Sequence, residues 1–198
     1  MGWTVAVIAA AYVLGALPFS WLVARGRGVN LHREGSGNIG ASNVWRTAGG
    51  SAGGLALVLD GSKGALAVVL ARAASGDEAV PVLAGLAAVI GHVWPAWLGF
   101  RGGKGVATAA GAFALLAPQA LLLAVAVFAV AVAATRYISV GSSLGAVALV
   151  AGASMGWSPA PVVAGAAIVA AIVLGRHRGN FARLLAGTER RVGIRATS

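Results

Sequence analysis

Long apolar runs separated by short polar segments set the pattern of this chain. A hydrocarbon core is crossed by about 20 apolar residues in a helix. Runs of roughly that kind cover Trp3–Ala24, Gly53–Ala71, Ala79–Leu98, Gln119–Thr135, Gly141–Met155 and Pro161–Leu174. A shorter run, Gly105–Ala117, ends where Pro118 breaks the pattern. The reading is an all-α, polytopic integral membrane protein with about seven transmembrane helices, in one membrane-embedded domain over residues 1–198. The short fourth run is either a crossing or a re-entrant piece. Asp60 and Lys63 interrupt the second run one helical turn apart, which predicts that they pair, either as structure or as function.

The charges give this pattern a direction. Arg25, Arg27, Arg33 and Arg46 follow the first run, Arg101 and Lys104 the third, and Arg136 the fifth. Arg176, Arg178, Arg183, Arg190, Arg191 and Arg195 fill the tail. With seven crossings all of these share one face, while Asp77 and Glu78 occupy an opposite loop. The positive-inside rule then places the N-terminus outside and the C-terminus in the cytoplasm. One continuous crossing over residues 105–135 would export the tail arginines, so two passes or a re-entrant pair are expected there.

Composition agrees: 59% of residues are hydrophobic and 10% charged, too few charges to cover a soluble surface. The net charge of +10 is explained by topology and anionic lipid, so membrane lipid is an expected partner and nucleic acid is not. The N-terminus has no basic leader region and no small-residue cleavage site, which predicts a retained first span. Absence of cysteine excludes thiolate chemistry and disulfides. Abundant Gly and Ala predict close helix contacts.

Three polar segments carry candidate chemistry. In the first, Gly35-Ser36-Gly37-Asn38-Ile39-Gly40-Ala41-Ser42-Asn43-Val44-Trp45-Arg46, interleaved glycines can turn N–H groups toward an anion. Ser36 and Asn38 can add donors, and Arg46 a planar fork for two phosphate oxygens. A flexible linker with one topological arginine fits the same residues. The second contains Gly102-Gly103-Lys104-Gly105, whose spacing is not a Walker A motif. Its glycines, the lysine charge and the following helix N-terminus nevertheless favour an anion site over a boundary lysine. In the tail, Asn180 and Glu189 are not explained by headgroup anchoring. Glu189 either holds an arginine of the site or is an unpaired surface carboxylate.

Several chemistries are excluded or weakened. His32, His92 and His177 lie in separate loops with no carboxylate at ligand spacing, so no metal site is expected. Gly141-Ser142-Ser143-Leu144-Gly145 satisfies a nucleophile-elbow pattern but begins an apolar helix, the wrong context. His92 has no aspartate at a short fixed spacing, so no local His–Asp acyltransferase dyad is expected. His92 itself is either a general base or a hydrogen-bonded helix-end histidine.

Taken in order and spacing, the three segments resemble the PlsY family of acyl-phosphate-dependent glycerol-3-phosphate acyltransferases. GSGNIGASNVWR is similar to the family's first motif, with Ser42 where Thr is common. GHVWPAWLGFRGGKGVAT is similar to the second, with Arg101 where Lys is common, and NFARLLAGTE is similar to the third. The resemblance implies acyl transfer from acyl phosphate to the 1-hydroxyl of sn-glycerol 3-phosphate, at the cytoplasmic face of a bacterial inner membrane. No cofactor or metal is implied, the chain is read as a monomer, and its working place is near the enzyme that produces acyl phosphate. The implied catalytic set is Lys104, Ser36, Arg46, His92 and Asn180. The implied binding set is Gly35, Gly37, Asn38, Asn43, Gly102, Gly103, Gly105, Thr108, His177, Arg183 and Glu189. A transporter for an organic phosphate and a lipid-binding scaffold are the rival readings. Clustering of polar residues at one face counts against the first, and the Gly-Gly-Lys-Gly loop against the second.

Overall fold

The computed structural model describes residues 2–193, so Arg195, counted above with the tail arginines, lies outside the described residues. Those residues form helices and loops with no strand. The chain runs through α1 (Gly2–Ala16), α2 (Phe19–Arg25), α3 (Ala41–Ala48), α4 (Gly50–Ala74) and α5 (Ala79–Val93). It continues with α6 (Val106–Leu116), α7 (Pro118–Thr135), α8 (Ile138–Gly152), α9 (Ala160–Arg176) and α10 (Arg178–Leu185).

Five segments are long and apolar enough to cross a membrane: Gly2–Arg25, Gly50–Ala74, Ala79–Leu98, Pro118–Thr135 and Ile138–Gly156. Ala160–Arg176, joined to Arg178–Leu185 through a 48° bend, makes a sixth. The 11-residue helix α6 reaches only about 16 Å at 1.5 Å per residue, half a hydrocarbon core. Every apolar run is therefore helical. One expectation is refined: the first run is broken at Leu17–Pro18, because the proline has no N–H to continue the helix. Pro118 does the opposite and opens α7, where a missing N–H costs nothing.

Small residues decide which helices touch. Gly15 and Gly91 let α1 and α5 meet backbone to backbone, since a Cβ on either would fall onto main-chain atoms of the other helix. Gly64 and Gly111 do the same for α4 and α6. Lipid supplies no hydrophobic drive between helices, so such close approach supplies the contact energy. An apolar core of Val68, Val82, Val89, Phe113, Val169 and Val173 joins α4, α5, α6 and α9. A second cluster, Leu31, Ile39, Val44, Ala52 and Ala56, seats the segment after α2 on the start of α4.

Gly64→Ala should cost about 1–3 kcal/mol through overpacking against the α6 backbone. Gly54→Ala, whose new methyl meets nothing within 4 Å, should leave the thermal midpoint in detergent unchanged or raised. Equal midpoints for the two variants would show that the α4–α6 approach is slack.

Candidate active site

The second polar segment leaves α5 through a short turn and folds back on it. Gly102 and Gly103 donate their N–H groups to the carbonyls of Val93 and His92, each at 3.1 Å. From the other side Arg176 donates Nε to the Gly103 carbonyl at 3.3 Å and Nη2 to the Gly102 carbonyl at 3.2 Å. Both buried glycines are thus fixed on both edges of their backbone. Gly105, at φ +84°, makes the left-handed step that starts α6. The amides of Gly102 and Gly103, expected to face an anion, bond α5 carbonyls in this structure. The amides left for that task are those of the first turn of α6, which have no intrahelical acceptor.

Lys104, half-buried between these fixed points, donates Nζ to Asn180 Oδ1. Burial holds its pKa down at about 8. Glu189 opposes that fall, and Arg183, Arg46 and Arg176 add to it. Three arginines and one carboxylate thus act on a single ammonium group.

The tail supplies the other half. His177 bridges α9 and α10, Asn180 and Arg183 follow on α10, and a turn at Gly187 brings Glu189 back. Glu189 is 5% exposed at its side chain. Its Oε1 accepts from Asn180 Nδ2 at 2.6 Å and from Ser139 Oγ at 2.8 Å, and its Oε2 accepts from Arg183 Nε at 2.8 Å. Burial alone pushes its pKa up, but these three donors outweigh burial and keep it below the usual carboxylate value. With its amide nitrogen on Glu189, Asn180 turns its oxygen to Lys104. The tail is latched further by Val192 N–H on the Arg136 carbonyl at 2.7 Å and by Arg191 Nε on Tyr137 at 3.0 Å. His177 is buried with Nδ1 on the Val173 carbonyl at 2.8 Å, which fixes the proton there and leaves Nε2 as an acceptor.

The first polar segment reaches the same end of the bundle. Asn43 is fully buried and ties the loop: Oδ1 accepts from Ser36 N–H at 2.8 Å, and Nδ2 donates to the Glu34 carbonyl at 3.1 Å. Asn43 thus fastens the loop from within. Gly35, Ser36 and Gly37 are exposed beside it, and Asn38 is half-buried. Arg46 stands on the last turn of α3. Its side chain is exposed by accessible area, yet crowding by its neighbours lowers its pKa first and Arg190 next, with Glu189 opposing and Arg183 adding. The two loops touch directly, since a Cβ at Gly103 would strike the Ile39 carbonyl oxygen and the His92 ring. Arg46 and Lys104 therefore belong to one electrostatic cluster.

Two further expected residues sit below that cluster. Thr108 is fully buried and donates Oγ1 to the Asp60 carbonyl at 2.9 Å inside the α4–α6 contact. His92 is buried beneath the loop with Nδ1 3.7 Å from Asp60 Oδ1. A His–Asp juxtaposition does exist, across helices and not within a local motif. Asp60 and Lys63 pair at 3.0 Å as expected. Sequence reasoning missed Ser139 and the clamp by Arg176. A serine at the start of an apolar helix and a boundary arginine carry no signal of their own. No group of three or more candidate metal ligands occurs among the described residues.

Comparison with known proteins gives one answer. A family model described as glycerol-3-phosphate acyltransferase matches residues 5–187. A glycerol-3-phosphate acyltransferase of Myxococcus xanthus is 47% identical over 191 residues, covering 95% of this chain and 99% of the relative. Another, of Desulforamulus reducens, is 41% identical and covers 98% of each chain. The crystal structure of PlsY, an integral membrane glycerol 3-phosphate acyltransferase, in its glycerol 3-phosphate form matches with a TM-score of 0.91 at 36% identity, covering 96% of both chains. Its lysophosphatidic acid form matches at 0.89.

Because Glu189 raises the Lys104 pKa, Glu189→Gln should move Lys104 titration below about 8, read from the ε-carbon shift of isotopically labelled lysine. An unchanged or higher titration point would break the proposed electrostatic link between tail and loop.

Proposed function

Since the chain belongs to the glycerol-3-phosphate acyltransferase family, as an integral membrane member of it, we propose that its acyl donor is acyl phosphate and that the reaction runs without a covalent enzyme intermediate. The acceptor is the 1-hydroxyl of sn-glycerol 3-phosphate, and the products are 1-acyl-sn-glycerol 3-phosphate and inorganic phosphate. The observation that carries this reading is the meeting of both motif loops and the tail around Lys104, with Arg46, Arg176 and Arg183 acting on it and Glu189 the one carboxylate. Such a cluster is suited to two phosphate-bearing substrates side by side.

The chemistry asks for positioning and charge stabilisation. The glycerol hydroxyl oxygen forms a bond to the acyl carbon, the bond from that carbon to the phosphate oxygen breaks, and the hydroxyl proton passes to a phosphate oxygen of substrate. Acyl phosphate brings its own good leaving group, so no nucleophilic side chain is required. Lys104 and the first amides of α6 stabilise charge on the departing phosphate and the carbonyl oxygen. Ser36, Arg46 and Asn180 hold glycerol 3-phosphate. Arg183 contributes through Glu189. His177, with Nδ1 on the Val173 carbonyl, offers its Nε2 lone pair to a substrate hydroxyl. Gly35, Gly37 and Asn38 let the first loop close on the acceptor.

Topology follows the same reading. The chain crosses the inner membrane seven times, counting α6 as a crossing, with the N-terminus outside and the site at the cytoplasmic rim. The acyl tail lies among the small-residue helices while its phosphate reaches the loops. The protein works as a monomer near the source of acyl phosphate, with no cofactor.

Purified protein in lipid, given palmitoyl phosphate and glycerol 3-phosphate without metal or coenzyme A, should release inorganic phosphate. Lys104→Ala and Arg46→Ala should each lower kcat/KM by about 100-fold or more with the protein still inserted. Near-normal rates in both would remove the anion-site assignment.

The pH profile gives a second test. A lysine with its pKa lowered to about 8 is charged below that pH and loses its charge as pH rises through it. Measured kcat/KM should therefore fall above about pH 8, and Lys104→Arg, which stays charged, should shift that alkaline limb upward. The same limb in both proteins would place the titration elsewhere.

A further inference from the structure

Beneath the loop lies a buried polar cluster that the proposed reaction does not use. Asp60, Lys63, Ser20 and His92 are each no more than 8% exposed. Asp60 Oδ2 accepts from Ser20 Oγ at 2.5 Å, and Lys63 Nζ donates to the Leu17 carbonyl at 2.8 Å, where Pro18 breaks the first helix. Asp60 Oδ1 lies 3.0 Å from Lys63 Nζ and 3.7 Å from His92 Nδ1, yet finds no hydrogen bond of good geometry among the described residues. An ion pair alone does not need the histidine. The other edge of that ring, Nε2, rests against Gly103, and the carbonyl of the same histidine accepts the Gly103 N–H. A cavity of about 10 Å³ is bordered by Ser20, Asp60, Lys63 and His92 on one side and by Gly102 and Gly103 on the other.

We propose that Asp60, acting through the ring of His92, is a positioning residue that holds the Gly102–Lys104 loop in register for acyl transfer. Asp60 is itself fixed by three elements: α2 through Ser20, its own helix through Lys63, and α6 through Thr108 on its carbonyl. The ring of His92 transmits that fixed point to Gly103, whose neighbour Lys104 meets the donor. Fixing a reacting group through an outer partner is economical, because a small misplacement costs rate steeply. The link to donor binding rests on the acyl-phosphate reading above; the mechanical link to the loop does not.

Asp60→Asn and His92→Gln, in protein held in lipid nanodiscs, test both links. Amide hydrogen exchange across residues 102–105 should quicken by about tenfold in each, with α7 and α8 unchanged. KM for palmitoyl phosphate should rise by about tenfold while KM for glycerol 3-phosphate stays within about twofold, a split that an unfolded fraction cannot produce. The double variant should be no worse than the more severe single, since both act through one ring. If Asp60→Asn fails to assemble, Ser20→Ala takes its place with the same expected pattern. Unchanged exchange in the loop, uniform quickening along the chain, or equal rises in both KM values would overturn the proposal. Lost turnover with both KM values unchanged would instead make His92 the base and overturn it as well. If the wild-type protein releases no phosphate from palmitoyl phosphate, the donor reading has failed, and the exchange result alone decides the positioning role.

Discussion

Everything at the site depends on one chain of hydrogen bonds, from Lys104 through Asn180 to Glu189. It joins two segments 76 residues apart, and it does so with a carboxylate in an otherwise cationic setting. Without Glu189, Lys104, Arg46, Arg176 and Arg183 would repel one another at the rim of the bundle, most strongly at the half-buried Lys104. Glu189 is held from three sides. Both of its oxygens already accept from Asn180, Ser139 and Arg183. Its work is to orient an amide and to make a cluster of like charges tolerable.

That chain closes only because the helices below bring their ends together. Glycines at positions 15, 64, 91 and 111 allow backbones to touch, so α1, α4, α5 and α6 form a narrow post. The loop after α5 sits on that post, pinned by α5 carbonyls on one edge and by Arg176 on the other. Tight helix contacts and a rigid loop are two parts of one arrangement. The glycines of the loop serve close packing more than anion capture: Gly102 and Gly103 are buried and their amides are used.

The fold was largely legible because lipid imposes a simple rule on sequence. Apolar runs, the proline at 118 and the one-sided charges all follow from the cost of placing polar groups in hydrocarbon. The break at Pro18 escaped because its flanks stay apolar and it sits inside one continuous run. At the site, Arg46, Lys104, Asn180 and Glu189 stood out since neither topology nor packing accounts for all of them. Asn43 and Thr108 looked alike from sequence, but one ties the loop and the other the α4–α6 contact, a distinction that their hydrogen-bond partners make. Ser139 carried no signal, because its partner lies 50 residues away and serine is common at helix starts. The approach of His92 to Asp60 was hidden for the same reason: the pair spans two helices, and no local spacing encodes it.

The cations at the rim divide by what they already hold. Arg176 spends its donors on the Gly102 and Gly103 carbonyls, and Arg183 is paired with Glu189. Lys63 is paired with Asp60 far from the surface. Among the described residues, Arg46 and Lys104, one from each motif loop, have no carboxylate partner, and neither has Arg176. A single phosphate could satisfy either. Cations without carboxylate partners at one rim, Lys104 half-buried and Arg46 exposed, suit a site that receives an anion. A bound phosphate then supplies the negative charge that the fold withholds, so substrate binding and charge balance become one event.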